Sequence, residues 1–176
     1  FSQIEKFILT SGNDTIKGNS EANTFDGADG SDTVRYDYLA AGQSVTVNFN
    51  SLSAATTVSG DNDTYVSIEN AYGSSGNDTF IMNATDNEEN TINGGISGVD
   101  TISYENYSSK VTVNLSAVGG INEVKTDDTD TILNIDNLIG GSAGDELTGS
   151  DDNNQITGGD GDDTLRGGKQ DDILSG

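Results

Sequence analysis

Carboxylates recur in this sequence at a fixed spacing. Reading back from residue 175, four nine-residue blocks abut without gaps: GGSAGDELT (140–148), GSDDNNQIT (149–157), GGDGDDTLR (158–166) and GGKQDDILS (167–175). Their sixth positions are Asp145, Asn154, Asp163 and Asp172. Three more blocks abut near the start: LTSGNDTIK (9–17), GNSEANTFD (18–26) and GADGSDTVR (27–35), with Asp14, Asn23 and Asp32 at position 6. Isolated copies at GSSGNDTFI (73–81) and GISGVDTIS (95–103) contribute Asp78 and Asp100, and a weaker one, TDNEENTIN (85–93), has Asn90. Carboxylates stacked a few ångströms apart repel by about 1 kcal/mol each in water, and more when partly buried. A cation removes that cost. Glycine turns add backbone carbonyls, and carboxylates with carbonyls are the ligand set of a hard, flexible site that favours Ca²⁺ over Mg²⁺.

The residue inventory excludes other chemistry. There is no Cys and no His, so soft-metal sites, disulfides and the commonest general base are missing. A nucleophilic triad has no material. The chain has 7 Lys+Arg against 30 Asp+Glu, a net charge of −23, which repels nucleic acid and anionic lipid headgroups. No apolar run approaches the roughly 20 residues that span a bilayer. The start shows no charged segment followed by an apolar one, so no signal peptide is expected. Both ends fall inside repeats, and the chain reads as a piece of a longer protein.

The elements that must position these carboxylates follow from the blocks. Glycines at positions 1, 2 and 4 permit tight turns. Positions 7–9 form a short strand with position 8 inward: Ile16, Phe25, Val34, Leu147, Ile156, Leu165 and Leu174. Turn and strand in alternation wind into a solenoid with two parallel sheets, in which blocks n and n+2 stack on one edge. Only 31% of residues are hydrophobic, a proportion that together with the charge belongs to disordered chains. A regular pattern in such a composition predicts folding coupled to charge removal.

A longer period overlies the short one. SDTVRYDYLAAGQSVTVNFN (31–50) matches VDTISYENYSSKVTVNLS (99–116), and SIENAYGSSGNDTF (67–80) matches NIDNLIGGSAGDEL (134–147), with Ile4, Ile68 and Ile135 in phase. Val45, Val47 and Phe49, and again Val111, Val113 and Leu115, alternate with polar residues. They predict longer strands that extend the same sheets. The expected organisation is a repeat array over 1–35, an insertion over 36–72, repeats over 73–103, a second insertion over 104–139 and an array over 140–176, all in one continuous elongated solenoid.

The blocks resemble the GGxGxDxUx nonapeptides of the RTX (repeats-in-toxin, hemolysin-type) calcium-binding family. GGDGDDTLR matches fully; GADGSDTVR, GSSGNDTFI and GISGVDTIS miss one glycine. The longer unit resembles segments of large secreted RTX adhesins. The resemblance implies an all-β fold, a parallel β-roll (a right-handed β-solenoid) whose turns bind several Ca²⁺ ions. It implies that position-6 side chains bind Ca²⁺ with backbone carbonyls of two turns on one edge. Asp14 would then pair with Asp32, Asp145 with Asp163, and Asn154 with Asp172. Asn23, Asp78 and Asp100 complete the side-chain set. The backbones of Gly12, Gly27, Gly30, Gly73, Gly76, Gly95, Gly98, Gly140, Gly141, Gly158, Gly159, Asp160, Gly161, Gly167 and Gly168 would complete the sites. Uncharged Asn23 and Asn154, and the replaced glycines at Ala143 and Gln170, imply weaker or empty positions.

The resemblance implies a structural module of a bacterial protein, secreted by a type I route, which folds on Ca²⁺ outside the cell as spacer, stabiliser or secretion-assisting segment. Its partners would be calcium and neighbouring repeats of the parent chain, with no nucleic acid and no membrane insertion; a glycan or cell-surface ligand stays open. The alternative is an accessory or ligand-binding module of an adhesin or of an extracellular enzyme, such as a polysaccharide epimerase, a lyase or a serralysin-type protease. The chain itself is not expected to be an enzyme, because its two arginines, Arg35 and Arg166, both sit at position 9 of a repeat. Tyr36, Tyr38, Tyr104 and Tyr107 could form a sugar-stacking surface; strand-surface or capping aromatics are the favoured reading. Asp151 and Asp171 read as solvated charge.

Overall fold

The computed structural model describes residues 5–85, 89–116, 121–125 and 128–176. Ile4, residues 86–88 of the weak block, and 117–120 and 126–127 of the second insertion lie outside that set. Every regular element among the described residues is a strand. The N-terminal array supplies β1 (Lys6–Ile8), β2 (Thr15–Lys17), β3 (Thr24–Asp26) and β4 (Thr33–Arg35). The first insertion supplies β5 (Val45–Asn48), β6 (Ser53–Thr56) and β7 (Asn62–Val66). Next come β8 (Asn70–Tyr72), β9 (Thr79–Ile81), β10 (Thr91–Asn93) and β11 (Thr101–Ser103). The second insertion holds β12 (Thr112–Asn114), β13 (Ile121–Lys125) and β14 (Asp128–Leu133). The chain ends with β15 (Asn137–Ile139), β16 (Glu146–Thr148), β17 (Gln155–Thr157), β18 (Thr164–Arg166) and β19 (Ile173–Ser175).

Most three-residue strands turn the middle side chain inward and the outer two away, as period-2 geometry requires; the outer residues Asn70 in β8 and Ser103 in β11 are buried as well. Alternate strands then stack parallel and in register: β1 on β3, β2 on β4, β16 on β18, and β15 on β17 on β19. Position 8 therefore meets position 8, as in Ile16 against Val34 and Leu147 against Leu165. The columns are the core of the roll, with Phe25, Val34, Phe80, Ile92, Ile102, Leu138, Leu147 and Ile156 all buried. Leu165 is half-buried against this core. Leu174, expected inside, is 45% exposed on β19, the edge strand of its sheet.

The insertion strands pair antiparallel with one another, unlike the parallel rungs. β5, β6 and β7 form an antiparallel meander inside the ten-stranded sheet, between β9 on one side and β3 on the other. The links are too short for a parallel crossover. Asn48 Oδ1 accepts the Ser51 N–H at 2.9 Å in the first turn, and Gly60 takes a φ of 91° in the second. β13 and β14 likewise pair antiparallel and join the six-stranded sheet through β10. β12 has three residues rather than a longer run and pairs with β16 in a separate three-stranded sheet.

Of the two places expected for the tyrosines, strand surface or cap, Tyr36, Tyr104 and Tyr107 take the buried one and Tyr38 is partly buried. Each closes the core beside the end of a rung. Tyr104 and Tyr107 meet edge-on at 5.2 Å, and the Tyr107 hydroxyl donates to the Asn83 carbonyl at 3.0 Å. Arg35 lies 4.1 Å over the Tyr72 ring and bonds Asp37 at 2.9 Å, on the outside of the sheet.

Candidate metal centre

Winding places the position-6 residues in columns at the turn edge, and a backbone ladder joins them. The Asp14 N–H donates to Asp32 Oδ1 at 2.7 Å, Asp78 to Asp100 Oδ1 at 2.8 Å, Asp145 to Asp163 Oδ1 at 2.8 Å, and Asn154 to Asp172 Oδ1 at 2.9 Å. In each pair one carboxylate oxygen is thus spent on the neighbouring turn. The other, Oδ2, lies against the first glycine of its own block in Asp32, Asp163 and Asp172, and against Gly94, one residue before the block, in Asp100. A Cβ at Gly27, Gly73, Gly140, Gly158 or Gly167 would collide with it. These glycines are needed for the space beside the carboxylate, not only for the turn.

The turns divide into two kinds by the fate of that second oxygen. In the first turn of each pair, the position-2 N–H caps it: Thr10 on Asp14 at 2.8 Å, Ser74 on Asp78 at 2.6 Å, Gly141 on Asp145 at 2.6 Å and Ser150 on Asn154 at 2.6 Å. In the second turn, position 2 has positive φ at Ala28 (70°), Gly159 (101°) and Gly168 (119°), and so does Gly95 (127°), the first residue of its block. The peptide is turned away there, and the Gly95 N–H goes instead to Asn93 Oδ1 at 3.0 Å. Asp32 Oδ2 and Asp163 Oδ2 are consequently buried without a hydrogen-bond partner. A buried charged oxygen left unsatisfied is costly, and a cation satisfies it.

Carbonyls complete the environment. Position 2 packs against a carbonyl of the turn before it in two open turns, Gly159 on Gly141 and Gly168 on Ser150, and Gly95, the first residue of its block, does so on Ser74. Position 4 does the same, with Gly30 on Gly12, Gly98 on Gly76, Gly76 on Gln43 and Gly161 on Ala143. Asp160 is exposed; its backbone N–H, not its carboxylate, reaches the edge, bonding the Gly141 carbonyl at 3.1 Å. Among the described residues no three acidic side chains converge as a metal cluster. Beside the carboxylates, the oxygens that approach these turns are backbone carbonyls, and both are hard donors of the class Ca²⁺ takes.

Burial sets the electrostatics. It pushes the Asp100 carboxyl up to about 7, helped by the charges of Asp78 and Asp136, while the Asp78 N–H holds it down. Burial also raises Asp78. Asp14 is lowered, by its hydrogen bonds from Thr10. A cleft of about 310 Å³ beside Asp100 is lined by Asp136, Asp152 and the backbone of 95–98.

Residues 8–37 and 139–174 match the RTX calcium-binding nonapeptide repeat model, in four copies. The chain carries RTX calcium-binding nonapeptide repeats. They are structural modules that bind several Ca²⁺ ions, and this all-β roll is their fold. No curated protein matches the chain.

The same backbone-to-carboxylate ladder continues outside the matched segments, through rungs that block-reading missed. Asp32 N–H donates to Glu69 Oε2 and Asp100 N–H to Asp136 Oδ2, both at 2.8 Å. Asn23 N–H donates to Asp63 Oδ1 at 2.8 Å and Asn90 N–H to Asp130 Oδ1 at 3.1 Å. Every uncharged position 6 therefore faces a carboxylate: Asn23 faces Asp63, Asn90 faces Asp130 and Asn154 faces Asp172. The missed signal is an acid one residue before a Thr/Asn–apolar pair, as in DTY (63–65), ENA (69–71), DTI (130–132) and DNL (136–138). Asp151 is exposed and pairs with Lys169 at 2.6 Å.

Gly158→Ala tests the cramped position beside the open carboxylate. The added methyl must displace Asp163 Oδ2. Weakened calcium binding at the C-terminal array is expected, measured by calorimetric titration, with the 8–37 array unchanged.

Proposed function

We propose that this chain is a calcium-folded spacer and stabiliser from a secreted bacterial protein, with Asp32, Asp100, Asp163 and Asp172 as the principal ligands and Asp14, Asp78, Asp145 and Asn154 as their stacked partners. Its five segments act as one elongated solenoid. The observation that carries this reading is the pair of buried, unpartnered carboxylate oxygens on Asp32 and Asp163, each in a repeat turn. Extracellular calcium modules work at about 10⁻⁴–10⁻³ M, so a roll held this way stays unfolded where calcium is scarce and folds after export. Type I export of an unfolded chain fits that order of events.

The reading is non-catalytic. Arg35 and Arg166 lie on outer sheet faces, bound to Asp37 and Glu146 at 2.9 and 3.0 Å, and do not line a groove with the carboxylates. Calcium-loaded chain is expected to leave alginate and pectin intact, followed by absorbance of unsaturated products. Turnover on either polymer would replace the structural reading with an enzymatic one.

A further inference from the structure

Two rungs stack without a glycine loop, at SIEN (67–70) and NIDN (134–137). Residues 67–69 are the whole link between β7 and β8, and 134–136 the whole link between β14 and β15. Both links open on a left-handed residue, Ser67 at φ 48° and Asn134 at φ 53°, and both bury the isoleucine that follows, Ile68 or Ile135. Elsewhere the position-7 N–H of a rung donates to the position-6 carbonyl of the rung before it, as Thr33 does to Asp14, Thr101 to Asp78 and Thr164 to Asp145. After these two rungs a side chain intervenes. The Thr91 N–H donates to Asn70 Oδ1 at 2.7 Å, and the Gln155 N–H to Asn137 Oδ1 at 2.9 Å. The same amides reach back. Asn70 Nδ2 donates to the Asp32 carbonyl at 3.0 Å and to Ser31 Oγ at 2.9 Å, and Asn137 Nδ2 to Thr101 Oγ1 at 3.4 Å. Each amide thus ties three successive rungs, using a donor and an acceptor that only Asn and Gln carry on one side chain end. Glu5 shows the ordinary case. It is in phase with Glu69 and Asp136 but is followed by Lys6, and its carbonyl takes the Thr24 N–H directly at 2.6 Å.

We propose that Asn70 and Asn137 are amide staples, and that the rungs they hold are calcium-independent joints, paired at calcium levels that leave the glycine loops empty. The staple bonds contain no carboxylate, so they form without removal of charge. Apolar packing supports the first joint: Val47, Phe49, Tyr65, Ile68, Phe80 and Met82 are all buried in the segment that carries it. The last two rungs have only half-buried Leu165 and largely exposed Leu174 at the same inward position. The roll therefore folds in two stages as calcium rises, joints before loops. The inference rests on the reading of the loops as calcium sites.

The test is residue-resolved hydrogen exchange on the whole chain along a calcium titration. The Thr91 and Gln155 amides are expected to slow at lower calcium than those of Thr164 and Ile173, which donate to position-6 carbonyls. All four slowing together overturns the joints and leaves the calcium reading standing; no response to calcium at any of them overturns both. In the calcium-saturated chain, N137L fills the same space without an acceptor, and Gln155 should exchange about tenfold faster. N137D restores the acceptor and should restore the rate. An unchanged rate in N137L, or no recovery in N137D, overturns the staple. Bound calcium at saturation should be equal in all three chains; fewer ions in N137L would make Asn137 a ligand and also overturn it. The titration of the unmodified chain decides the matter even if N137L does not fold.

Discussion

Chelation with EDTA at mildly alkaline pH is expected to unfold most of the roll, and calcium to restore it. The physical case is the number of buried acids in a chain of net charge −23. Asp32, Asp61, Asp63, Asp78, Asp100 and Asp145 are all buried, and the ion pairs among the described residues use other, more exposed acids. Without ions the mutual repulsion is uncompensated, and the calcium-binding free energy becomes folding free energy. Circular dichroism during a calcium titration measures it, and a β spectrum indifferent to EDTA would refute it.

Protons should substitute in part. Asp100 is raised to about 7 and Asp63 to about 6 in the fold, both chiefly by burial, against 3.8 for a free aspartate. The folded chain thus binds protons that the unfolded chain does not. That contribution is fully present below the unfolded value and is lost as pH rises through the folded ones. In EDTA, stability should rise as pH falls from about 8 towards about 5. With calcium the trend at Asp100 reverses, since proton and ion compete for it. Melting temperatures in EDTA at the two pH values decide the sign.

The second large effect is expected from Asp163→Ala. It removes the acceptor of the Asp145 N–H and the open Oδ2 together. Loss of a hydrogen bond to a charged acceptor costs about 1.5–3 kcal/mol, and the calcium held there is lost in addition. Rungs contact only neighbours, so the damage should stay local. Hydrogen exchange is expected to quicken over 140–176 while 9–35 keeps its protection. Equal loss in both arrays would contradict a modular roll.

Much of this architecture was legible because a nonapeptide is one self-similar unit. Asp163, Leu165 and their glycines occupy the same places as Asp145 and Leu147 eighteen residues earlier, so stacking follows from counting. The pairing of Asn154 with Asp172 could be counted in the same way. Asn23 with Asp63 and Asn90 with Asp130 could not. Each pair is forty residues apart, across an insertion that breaks the nine-residue phase. The sequence left Tyr36 either on a strand surface or capping the core, and β7 decides for the core by bringing Asp63 to its hydroxyl. Likewise the alternation of Val45, Val47 and Phe49 marks a strand face but says nothing of direction.

The sequence by itself determined the repeat, its inward residue, its carboxylate and hence the class of ion, because these are local properties of turn and strand chemistry. Only the tertiary structure decided which carboxylates meet. It also decided which turns leave an oxygen open, through the φ at position 2. And it showed that the insertions return to the ladder with acids of their own. Those depend on contacts between distant residues and on which way single peptides face, and no local spacing encodes either.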